Sequence, residues 1–264
     1  MSAKQAKDEG RNSKFDTRRE FRFSSLGFCR LVTLHVSLPL GGVMDRIPIE
    51  KKVLSENDRI AARLRESFRE HRILCVNLIS SPGSGKTSLL ERTLERFPKG
   101  ARVAVLTGDI QTDNDARRLA RFGFPAKQIT TGGTCHLDAL RVERALGDWP
   151  LENLDLLIIE NVGNLVCPSS YDLGEAAKIV ILSVAEGEDK PLKYPSIFAK
   201  SELLVLNKVD LLPYVSFDMA RAREYARQIH PGMEILEVSC TTGQGLDQWM
   251  QWLEKRRETV TTET

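Results

Sequence analysis

The chain has 264 residues, of which 41% are hydrophobic and 28% charged. This length and composition allow a large buried core and exclude an intrinsically disordered protein. The formal net charge is only +2, which argues against a nucleic-acid binder, and no uncharged apolar run is long enough to span a membrane.

The first 43 residues are expected to be an extension that is disordered or foreign to the natural protein, with Met44 as the natural start. Thr17–Phe21 resembles a twin-arginine export signal, but Arg30 interrupts the apolar stretch behind it and no A-x-A cleavage site follows. The five cysteines are widely spaced, which is typical of a reducing compartment rather than of a disulfide framework. We therefore predict a cytoplasmic protein.

Residues 44–71 are predicted to form an N-terminal amphipathic helix. Its clearest part is residues 53–71, where apolar side chains recur at helical spacing and Ser55 stands in the N-cap position. The apolar residues of this face are Ile60, Ala61, Leu64 and Phe68. We expect this face to pack the helix onto the domain that follows.

Behind this helix, short apolar runs alternate with helical patterns. The strands are predicted near residues 73–79, 102–107, 154–160, 177–184, 202–207 and 234–239. The helices are predicted near residues 86–96, 114–122, 136–146, 216–229 and 244–256. Strands that alternate with helices indicate βαβ units. The predicted fold is therefore an α/β three-layer structure, with a mostly parallel sheet flanked by helices on both faces.

The stretch SSPGSGKT at residues 80–87 joins the first predicted strand to a helix. Such a loop wraps backbone N–H groups around phosphate oxygens, and it needs glycine where a side chain would collide with the ligand. Gly83 and Gly85 meet this need, although Ser80 replaces the usual first glycine. Lys86 supplies a positive charge and Thr87 a hydroxyl for Mg²⁺. The stretch predicts a P-loop NTPase whose phosphate-binding residues are Gly83, Ser84, Gly85, Lys86, Thr87 and Ser88.

The stretch NKVD at residues 207–210 ends a later apolar strand. A carboxylate accepts hydrogen bonds from N1–H and the 2-amino group of guanine, whereas adenine would leave that charge unpaired. Asp210 is therefore the predicted specificity residue, while Asn207 braces the loop and the stem of Lys208 covers the base. Ser239 and Cys240 are expected to complete the base pocket. The predicted ligands are GTP and GDP.

Two acidic strand ends are candidates for sensing the γ-phosphate and its Mg²⁺. Asp109 ends one strand, with Asp113 and Asp115 just behind it, and Glu160 ends an entirely apolar strand. Carboxylates suit direct or water-mediated contact with Mg²⁺, while helix N-capping is the alternative for Asp113. The N–H of Gly163 is expected to meet the γ-phosphate. The predicted catalytic residues are Lys86, Asp109 and Glu160, and the predicted Mg²⁺ ligands are Thr87, Asp109 and Glu160.

These motifs predict a GTPase domain at residues 72–257, followed by a C-terminal tail at residues 258–264. No glutamine or arginine of the sequence identifies itself as the group that positions the attacking water. The predicted reaction is hydrolysis of GTP to GDP and phosphate, with slow intrinsic turnover.

The chain resembles the hydrogenase nickel-incorporation GTPases, in the class of P-loop proteins that dimerise around signal-recognition-type nucleotide sites. The resemblance covers residues 50–255, and its most specific stretches are ENVGNLVCP and EGEDKPLKYP. The related urease accessory GTPases are similar in the phosphate loop and in NKxD but usually carry Cys-Pro-His as the metal motif. This sequence has Cys-His without the proline.

The resemblance implies a GTP-dependent, metal-binding homodimer that delivers nickel to the precursor of the [NiFe]-hydrogenase large subunit. It also implies a small nickel- and zinc-binding accessory protein as a partner. Many relatives add an N-terminal cysteine motif or a histidine-rich stretch for nickel, whereas residues 1–43 hold only Cys29 and His35. The sequence therefore gives no support for nickel storage or for a second tight nickel site.

Cys135 and His136, together with Cys167, are the candidate ligands of a nickel or zinc ion. Thiolate and imidazole suit these ions, whereas oxygen ligands suit Mg²⁺. Cys135 and His136 stand at the start of the predicted helix 136–146 and converge on one ion only if that start is irregular. Cys167 lies seven residues after Glu160. We therefore hypothesise that GTP orders the segments that carry the ligands, favours the dimer and sets the metal affinity.

Other interpretations are compatible with these motifs. A metal sensor or sequestration dimer would bind GTP with only incidental turnover, and a urease-type nickel accessory GTPase would serve a different enzyme. In an ATP-dependent P-loop kinase or ligase, NKVD would be accidental, and ADP would bind more tightly than GDP. The two cysteines also suit simple packing, since cysteine is among the most buried residue types.

Overall fold

The computed structural model describes residues 49–109, 114–147 and 149–262, all within the compact unit Arg46–Thr264. The predicted extension at residues 1–43 lies outside the described residues. The strands of the described residues are β1 (Leu74–Ser80), β2 (Val103–Asp109), β3 (Ala126–Thr130), β4 (Leu156–Glu160), β5 (Ala177–Ser183), β6 (Leu203–Asn207) and β7 (Glu234–Val238). They form one parallel sheet in the order β3-β2-β4-β1-β5-β6-β7.

Helices and short helical turns connect these strands. The helices are α1 (Ile49–Glu70), α2 (Lys86–Arg96), α3 (Asn114–Ala120), α4 (Ala139–Leu146), α5 (Lys190–Lys193), α6 (Pro195–Ala199), α7 (Met219–Ile229) and α8 (Leu246–Thr262). The 3-10 turns are Leu151–Asn153, Cys167–Ser170 and Val209–Tyr214. Among the described residues, no helix is both long and apolar enough to cross a membrane.

Successive side chains of β1 point to opposite faces of the sheet, and helices cover both faces. Leu74, Val76 and Leu78 pack into a hydrophobic cluster that also holds the apolar sides of α2, α3 and α8. Cys75 joins a second cluster with α1 and α4, and Ile79 joins a third with α6 and α7. All five side chains are buried, and burial on both faces explains the continuous apolar sequence of a parallel strand. The predicted α/β fold with a parallel sheet and helices around it is confirmed.

The sequence patterns missed strand β3, which forms the edge of the sheet beside β2. Its sequence AKQIT is half polar, and Ile129 is its one buried residue. An edge strand is paired on one side only and stays partly exposed. It therefore lacks the apolar run by which the inner strands are recognised.

The N-terminal helix starts before residue 53, where its clearest predicted part began, and within the predicted range 44–71. Helix α1 begins at Ile49, so Ser55 lies inside the helix. The Ser55 Oγ donates a hydrogen bond to the carbonyl oxygen of Lys52 at 2.9 Å, and the predicted N-cap role is wrong. The predicted apolar face is confirmed, because the buried residues of this helix that join its cluster are Ile60, Ala61, Leu64 and Phe68.

Later helix boundaries also differ from the predicted ones, among them the start of α4 and the end of α8. Helix α4 begins at Ala139, because the Asp138 carboxylate caps it by accepting the N–H of Arg141 at 2.8 Å. The predicted start at residue 136 is therefore wrong. Helix α8 continues to Thr262, so residues 258–262 of the predicted tail are helical.

The strand order creates a crevice at the carboxyl ends of the strands. Strand β1 pairs with β4 on one side and with β5 on the other, and the chain changes sides of β1 between β4 and β5. Ligands of open α/β sheets bind at such a switch point. The last residues of β1, β4 and β6 are Ser80, Glu160 and Asn207. The fold thereby brings three features to one edge of the sheet. They are the phosphate loop at residues 80–87, the acidic strand end at Glu160, and the NKVD stretch at residues 207–210, which we call the guanine motif.

Candidate nucleotide site and metal centre

The phosphate loop, residues 80–87, has the backbone shape that its glycines predict. Gly83 and Gly85 have φ angles of 75° and 98°, in the left-handed region that favours glycine. A Cβ atom on Gly85 would also lie 2.5 Å from the side-chain nitrogen of Asn207. Lys86 begins helix α2 and donates from Nζ to the Ser80 Oγ at 2.8 Å. The serine that replaces the usual first glycine therefore contacts the phosphate-binding lysine.

A carboxylate from the loop after β5 braces the phosphate loop, and the sequence analysis missed it. The Glu186 Oε1 accepts hydrogen bonds from the Ser84 Oγ at 2.7 Å and from the N–H of Ser183 at 3.0 Å. Lys190 pairs with the other carboxylate oxygen at 3.4 Å and reaches the Ser81 Oγ at 3.4 Å. The signal was present, since Glu186 lies in the specific stretch EGEDKPLKYP.

Two residues of the guanine motif donate hydrogen bonds to backbone carbonyl groups of the phosphate loop. Asn207 donates from Nδ2 to the Ser84 carbonyl at 2.8 Å, and Lys208 donates from Nζ to the Gly83 carbonyl at 2.7 Å. Lys208 has a positive φ of 63°, which a non-glycine residue seldom adopts. The bracing role expected of Asn207 agrees with this geometry.

Asp210 and Ser239, both predicted to bind the base, are in contact with each other. The Ser239 Oγ donates to the Asp210 Oδ1 at 2.5 Å. The neighbouring Cys240 has its Sγ 3.8 Å from the Asn207 Oδ1, and burial raises the pKa of its thiol to about 11. Cys240 therefore packs beside the guanine motif as a neutral thiol.

A cavity of about 460 Å³ lies between the phosphate loop and the segment that follows β4. This volume is in the range of about 300–1,000 Å³ that is typical of small-molecule sites. Predicted residues that line the cavity are Gly83, Gly85, Lys86, Thr87, Ser88, Glu160, Gly163 and Lys208. Arg118 of α3 also lines it, pairs with Glu91 at 2.9 Å and had not been predicted.

Glu160 and Thr87 meet in the lining of this cavity. The Thr87 Oγ1 donates to the Glu160 Oε1 at 2.8 Å, and Glu160 is only 4% exposed. We call residues 160–167 the β4 loop. Gly163 in this loop packs tightly on the phosphate loop, because a Cβ atom there would lie 3.0 Å from the Cα of Pro82. The β4 loop is thus in direct contact with the phosphate loop.

The second acidic strand end is described in part. Asp109 is the last residue of β2, and Asp115 lies in helix α3. Their side chains, and the whole of Asp113, lie outside the described residues. The magnesium-binding and nucleotide-binding roles of Asp109 and Asp115 remain predictions from the sequence.

Two thiols and an imidazole come together where the β4 loop ends. The candidate ligand atoms of Cys135, His136 and Cys167 all lie within 4.8 Å of one another. The two Sγ atoms are 2.8 Å apart, and the Cys135 Sγ is 3.9 Å from the His136 Nδ1. The His136 ring stacks on Tyr171 with 3.8 Å between the ring centroids. Burial lowers the pKa of His136, which favours the neutral imidazole that binds metals.

Cys135 and His136 lie in a turn rather than on a helix. We call residues 131–138 the cysteine-histidine loop. Gly132 and Gly133 have φ angles of 61° and 98°, and the hydroxyl of Thr134 donates to the carbonyl of Thr131 at 3.1 Å. This geometry allows two adjacent side chains to converge, whereas neighbours on a helix point about 100° apart. Cys167, at the end of the β4 loop, completes the cluster.

The chain is similar to hydrogenase maturation factors in sequence and structure. A model of the CobW/HypB/UreG nucleotide-binding domain matches residues 74–237. The hydrogenase maturation factor HypB of Escherichia coli K12 is 52% identical over 211 residues, which cover 80% of this chain and 73% of that protein. HypB from Archaeoglobus fulgidus has a similar structure, with 40% identity, a TM-score of 0.72, and coverage of 77% of this chain and 99% of that one. HypB from Helicobacter pylori in complex with nickel is 42% identical, with a TM-score of 0.73 and coverage of 78% and 97%.

Proposed function

Because the chain belongs to the CobW/HypB/UreG family and is a hydrogenase maturation factor of the HypB type, we propose that it is a GTP-hydrolysing nickel metallochaperone. In this role it binds nickel or zinc and assists the GTP-dependent insertion of nickel into the [NiFe]-hydrogenase large-subunit precursor. The cluster of two thiols and an imidazole at the end of the β4 loop, whose residues 160–163 line the nucleotide cavity, carries the proposal. The nickel complex of a relative that is 42% identical supports it.

The phosphates of GTP are assigned to the cavity between the phosphate loop and the β4 loop. The ammonium of Lys86 would leave the Ser80 hydroxyl for the β- and γ-phosphate oxygens, and the N-terminus of α2 would stabilise their charge. Thr87 and Glu160 would hold Mg²⁺, because their hydroxyl and carboxylate oxygens are the ligand types that it prefers. The bound ion would neutralise charge on the phosphate oxygens during hydrolysis.

The guanine base is assigned to Asp210. Its carboxylate already accepts one hydrogen bond from Ser239 and would accept two more from N1–H and the 2-amino group of the base. Adenine has neither donor and would leave a desolvated carboxylate unpaired. We therefore expect GDP to bind much more tightly than ADP, and calorimetry with both nucleotides tests this.

The cargo ion is assigned to Cys135, His136 and Cys167. Three protein ligands are one fewer than in a closed structural zinc site, which suits an ion that must be taken up and released. A second copy of the chain would place another set of ligands at the open position, and the proposed homodimer is favoured by GTP and metal. The other proposed partners are a small nickel- and zinc-binding accessory protein and the hydrogenase precursor, all in the cytoplasm.

The test is metal analysis and sizing of the full chain, loaded either with GDP or with a non-hydrolysable GTP analogue. We expect stoichiometric binding of a soft metal and a shift towards the dimer with the analogue. Cys135→Ala and Cys167→Ala should lose the metal, whereas Cys75→Ala, a cysteine in the core of β1, should keep it.

The same experiment separates this function from its nearest alternative. If metal binding and dimerisation are identical in the two nucleotide states, a sequestration role fits better than delivery coupled to GTP. If the cysteine variants keep the metal at full occupancy, the assigned ligands are wrong.

A further inference from the structure

Three buried polar side chains cross the middle of the sheet beside the nucleotide cavity. They are Asn77 on β1, Asn161 just after β4 and Glu175 just before β5, and they are 0%, 1% and 6% exposed. Polar groups at such depth destabilise a fold unless each is hydrogen-bonded. Neither the phosphate loop nor the guanine motif uses any of them.

These side chains form a chain of hydrogen bonds in which Asn161 donates to Asn77 and Asn77 donates to Glu175. The Glu175 Oε1 accepts from the Asn77 Nδ2 at 3.2 Å, and the Asn77 Oδ1 accepts from the Asn161 Nδ2 at 3.3 Å. An ionised carboxylate can only accept, so Glu175 fixes the orientation of both amides. The Asn161 Oδ1 is thereby left to accept the N–H groups of Leu137 at 3.1 Å and Val162 at 3.0 Å.

The far end of this chain of hydrogen bonds is the cysteine-histidine loop. Leu137 directly follows His136, whereas Asn161 belongs to the β4 loop. A second hydrogen bond joins the same two loops, because the Asn164 Nδ2 donates to the Cys135 carbonyl at 3.2 Å. The peptide groups on either side of His136 are therefore attached to the β4 loop.

The β4 loop also faces the cavity to which the phosphates of GTP are assigned. Residues 160–163 line the cavity, and Gly163 packs on Pro82. If the loop moves when phosphates enter, its links to Leu137 and Cys135 must either break or carry the cysteine-histidine loop with them. If the links break, the distance changes between Cys135 and Cys167, which sits on the β4 loop itself. If the links hold, Cys135 and His136 are displaced together with the β4 loop.

We propose that Asn161 and Asn164 are positioning residues through which the state of the nucleotide pocket sets the metal affinity of the Cys135, His136 and Cys167 cluster. This inference rests on the proposed function and adds the residues that carry its coupling. The buried carboxylate of Glu175 holds Asn161 in the orientation that the link needs. A coupling of this kind requires an element that both sites bias, and the β4 loop contacts both.

The first residue of helix α4, directly after the cysteine-histidine loop, provides a matched control. Asn57 of helix α1 accepts the N–H of Ala139 on its Oδ1 at 2.9 Å, and it is 5% exposed. It resembles Asn161 in residue type, burial and target, since both accept a backbone N–H beside the metal ligands. Asn57 differs in that α1 does not line the cavity, and its Nδ2 donates to the Asp172 carbonyl at 2.9 Å rather than to Asn77.

The experiment uses Co²⁺ as the probe, titrated into the full chain with GDP or with a non-hydrolysable GTP analogue. Thiolate-to-cobalt absorbance gives a Kd in each state. We expect these values to differ by about fivefold or more in the parent and by about twofold or less in Asn161→Ala and Asn164→Ala. Asn57→Ala should keep the parent ratio. The half-buried Asn164 keeps the test decisive if Asn161→Ala fails to fold, and the GDP affinity of Asn164→Ala should stay at the parent value.

The outcomes distinguish this inference from the proposed function. Equal cobalt affinities in the two states of the parent would remove the proposed coupling of metal to nucleotide altogether. A nucleotide-dependent parent whose asparagine variants keep the full ratio would overturn the role of Asn161 and Asn164 alone. A loss of the ratio in Asn57→Ala as large as in Asn164→Ala would also overturn it, because general loosening would then explain the effect.

Discussion

Asp210 and Glu186 show how single carboxylates define the nucleotide site. Each has identified donors in the structure, namely Ser239 for Asp210, and Ser84 and Ser183 for Glu186. Their proposed tasks differ, since Asp210 reads the base and Glu186 holds the loop that receives the phosphates. Removing either negative charge should therefore have separable effects.

Replacing Asp210 with Asn should weaken GDP binding by a factor of about 10 to 100, because a hydrogen bond to a charged group contributes about 1.5–3 kcal/mol. Xanthosine diphosphate should bind better than in the parent, because its 2-oxo group accepts from the new amide. Calorimetry with both nucleotides measures the change. Asp218→Asn, in a residue that caps α7, is the control. Unchanged GDP affinity in Asp210→Asn would show that this side chain does not read the base.

Replacing Glu186 with Gln should lower the free energy of unfolding at neutral pH but not in acid. Burial acts to raise the pKa of Glu186, but hydrogen bonds from Ser81 and Ser84, the N–H of Ser183 and the charge of Lys190 lower it below the ordinary 4.5. A lowered pKa means that the ionised form stabilises the fold above pH 4.5, and that this stabilisation is lost as the pH falls through the folded pKa.

Urea unfolding of the parent and of Glu186→Gln across this pH range measures the effect. Glu188→Gln, two residues further along the same loop, controls for the loss of one negative charge. A difference from the parent that is the same at neutral and at acid pH would contradict the linkage.

At the scale of helices and strands, the stability of the fold and the shape of the metal site both depend on where a helix begins. Helix α4 is short, with eight residues, and its start at Ala139 depends on the Asp138 cap. The same cap fixes where the cysteine-histidine loop ends. A change at this helix start should therefore affect both stability and metal binding.

Asp138→Ala and Asp218→Ala each remove the cap of one helix, α4 and α7 respectively. Each should lower the free energy of unfolding by about 0.5–2 kcal/mol. Only Asp138→Ala should also weaken zinc binding, because Asp138 lies two residues from His136. Urea unfolding and competition with a zinc chelator measure the two effects. Equal zinc affinity in both variants would show that the α4 cap does not shape the metal site.

The inner strands were predictable from the sequence, and the edge of the sheet was not. Strands β1 and β6 are buried on both faces and read as apolar runs, whereas the half-exposed β3 does not. The start of α4 was misjudged because Leu137 continues the apolar helical pattern. The apolar pattern of the sequence does not reveal the hydrogen bond by which Asp138 caps the helix, and this bond sets the start of α4.

The site residues that were not predicted from the sequence are held in place by contacts with residues far away along the chain. The glycines, Lys86 and Asp210 are recognisable because phosphate and guanine require those residue types in a short stretch. Glu186 and Ser84 are separated by 102 residues, and Asn77 and Asn161 by 84. Such pairs become neighbours only through the parallel sheet, so no local pattern announces them.

For the molecule as a whole, a chain that begins at Met44 should bind GDP and metal as the full chain does. The phosphate loop, the guanine motif and the three candidate ligands all lie beyond residue 79, and the family model matches residues 74–237. Calorimetry with GDP and zinc competition on both forms test this. A weaker affinity for either ligand in the shorter form would assign a binding role to residues 1–43.

The guanine motif lies behind the phosphate loop, with Asn207 and Lys208 bonded to the carbonyl groups of Ser84 and Gly83. The residues assigned to the purine and those assigned to the phosphates are therefore parts of one hydrogen-bonded framework rather than independent subsites. A substitution at Asn207 should therefore change the affinity for inorganic pyrophosphate, although pyrophosphate carries no purine. For the same reason, the binding free energies of guanosine and of pyrophosphate should not simply add up to that of the intact nucleotide.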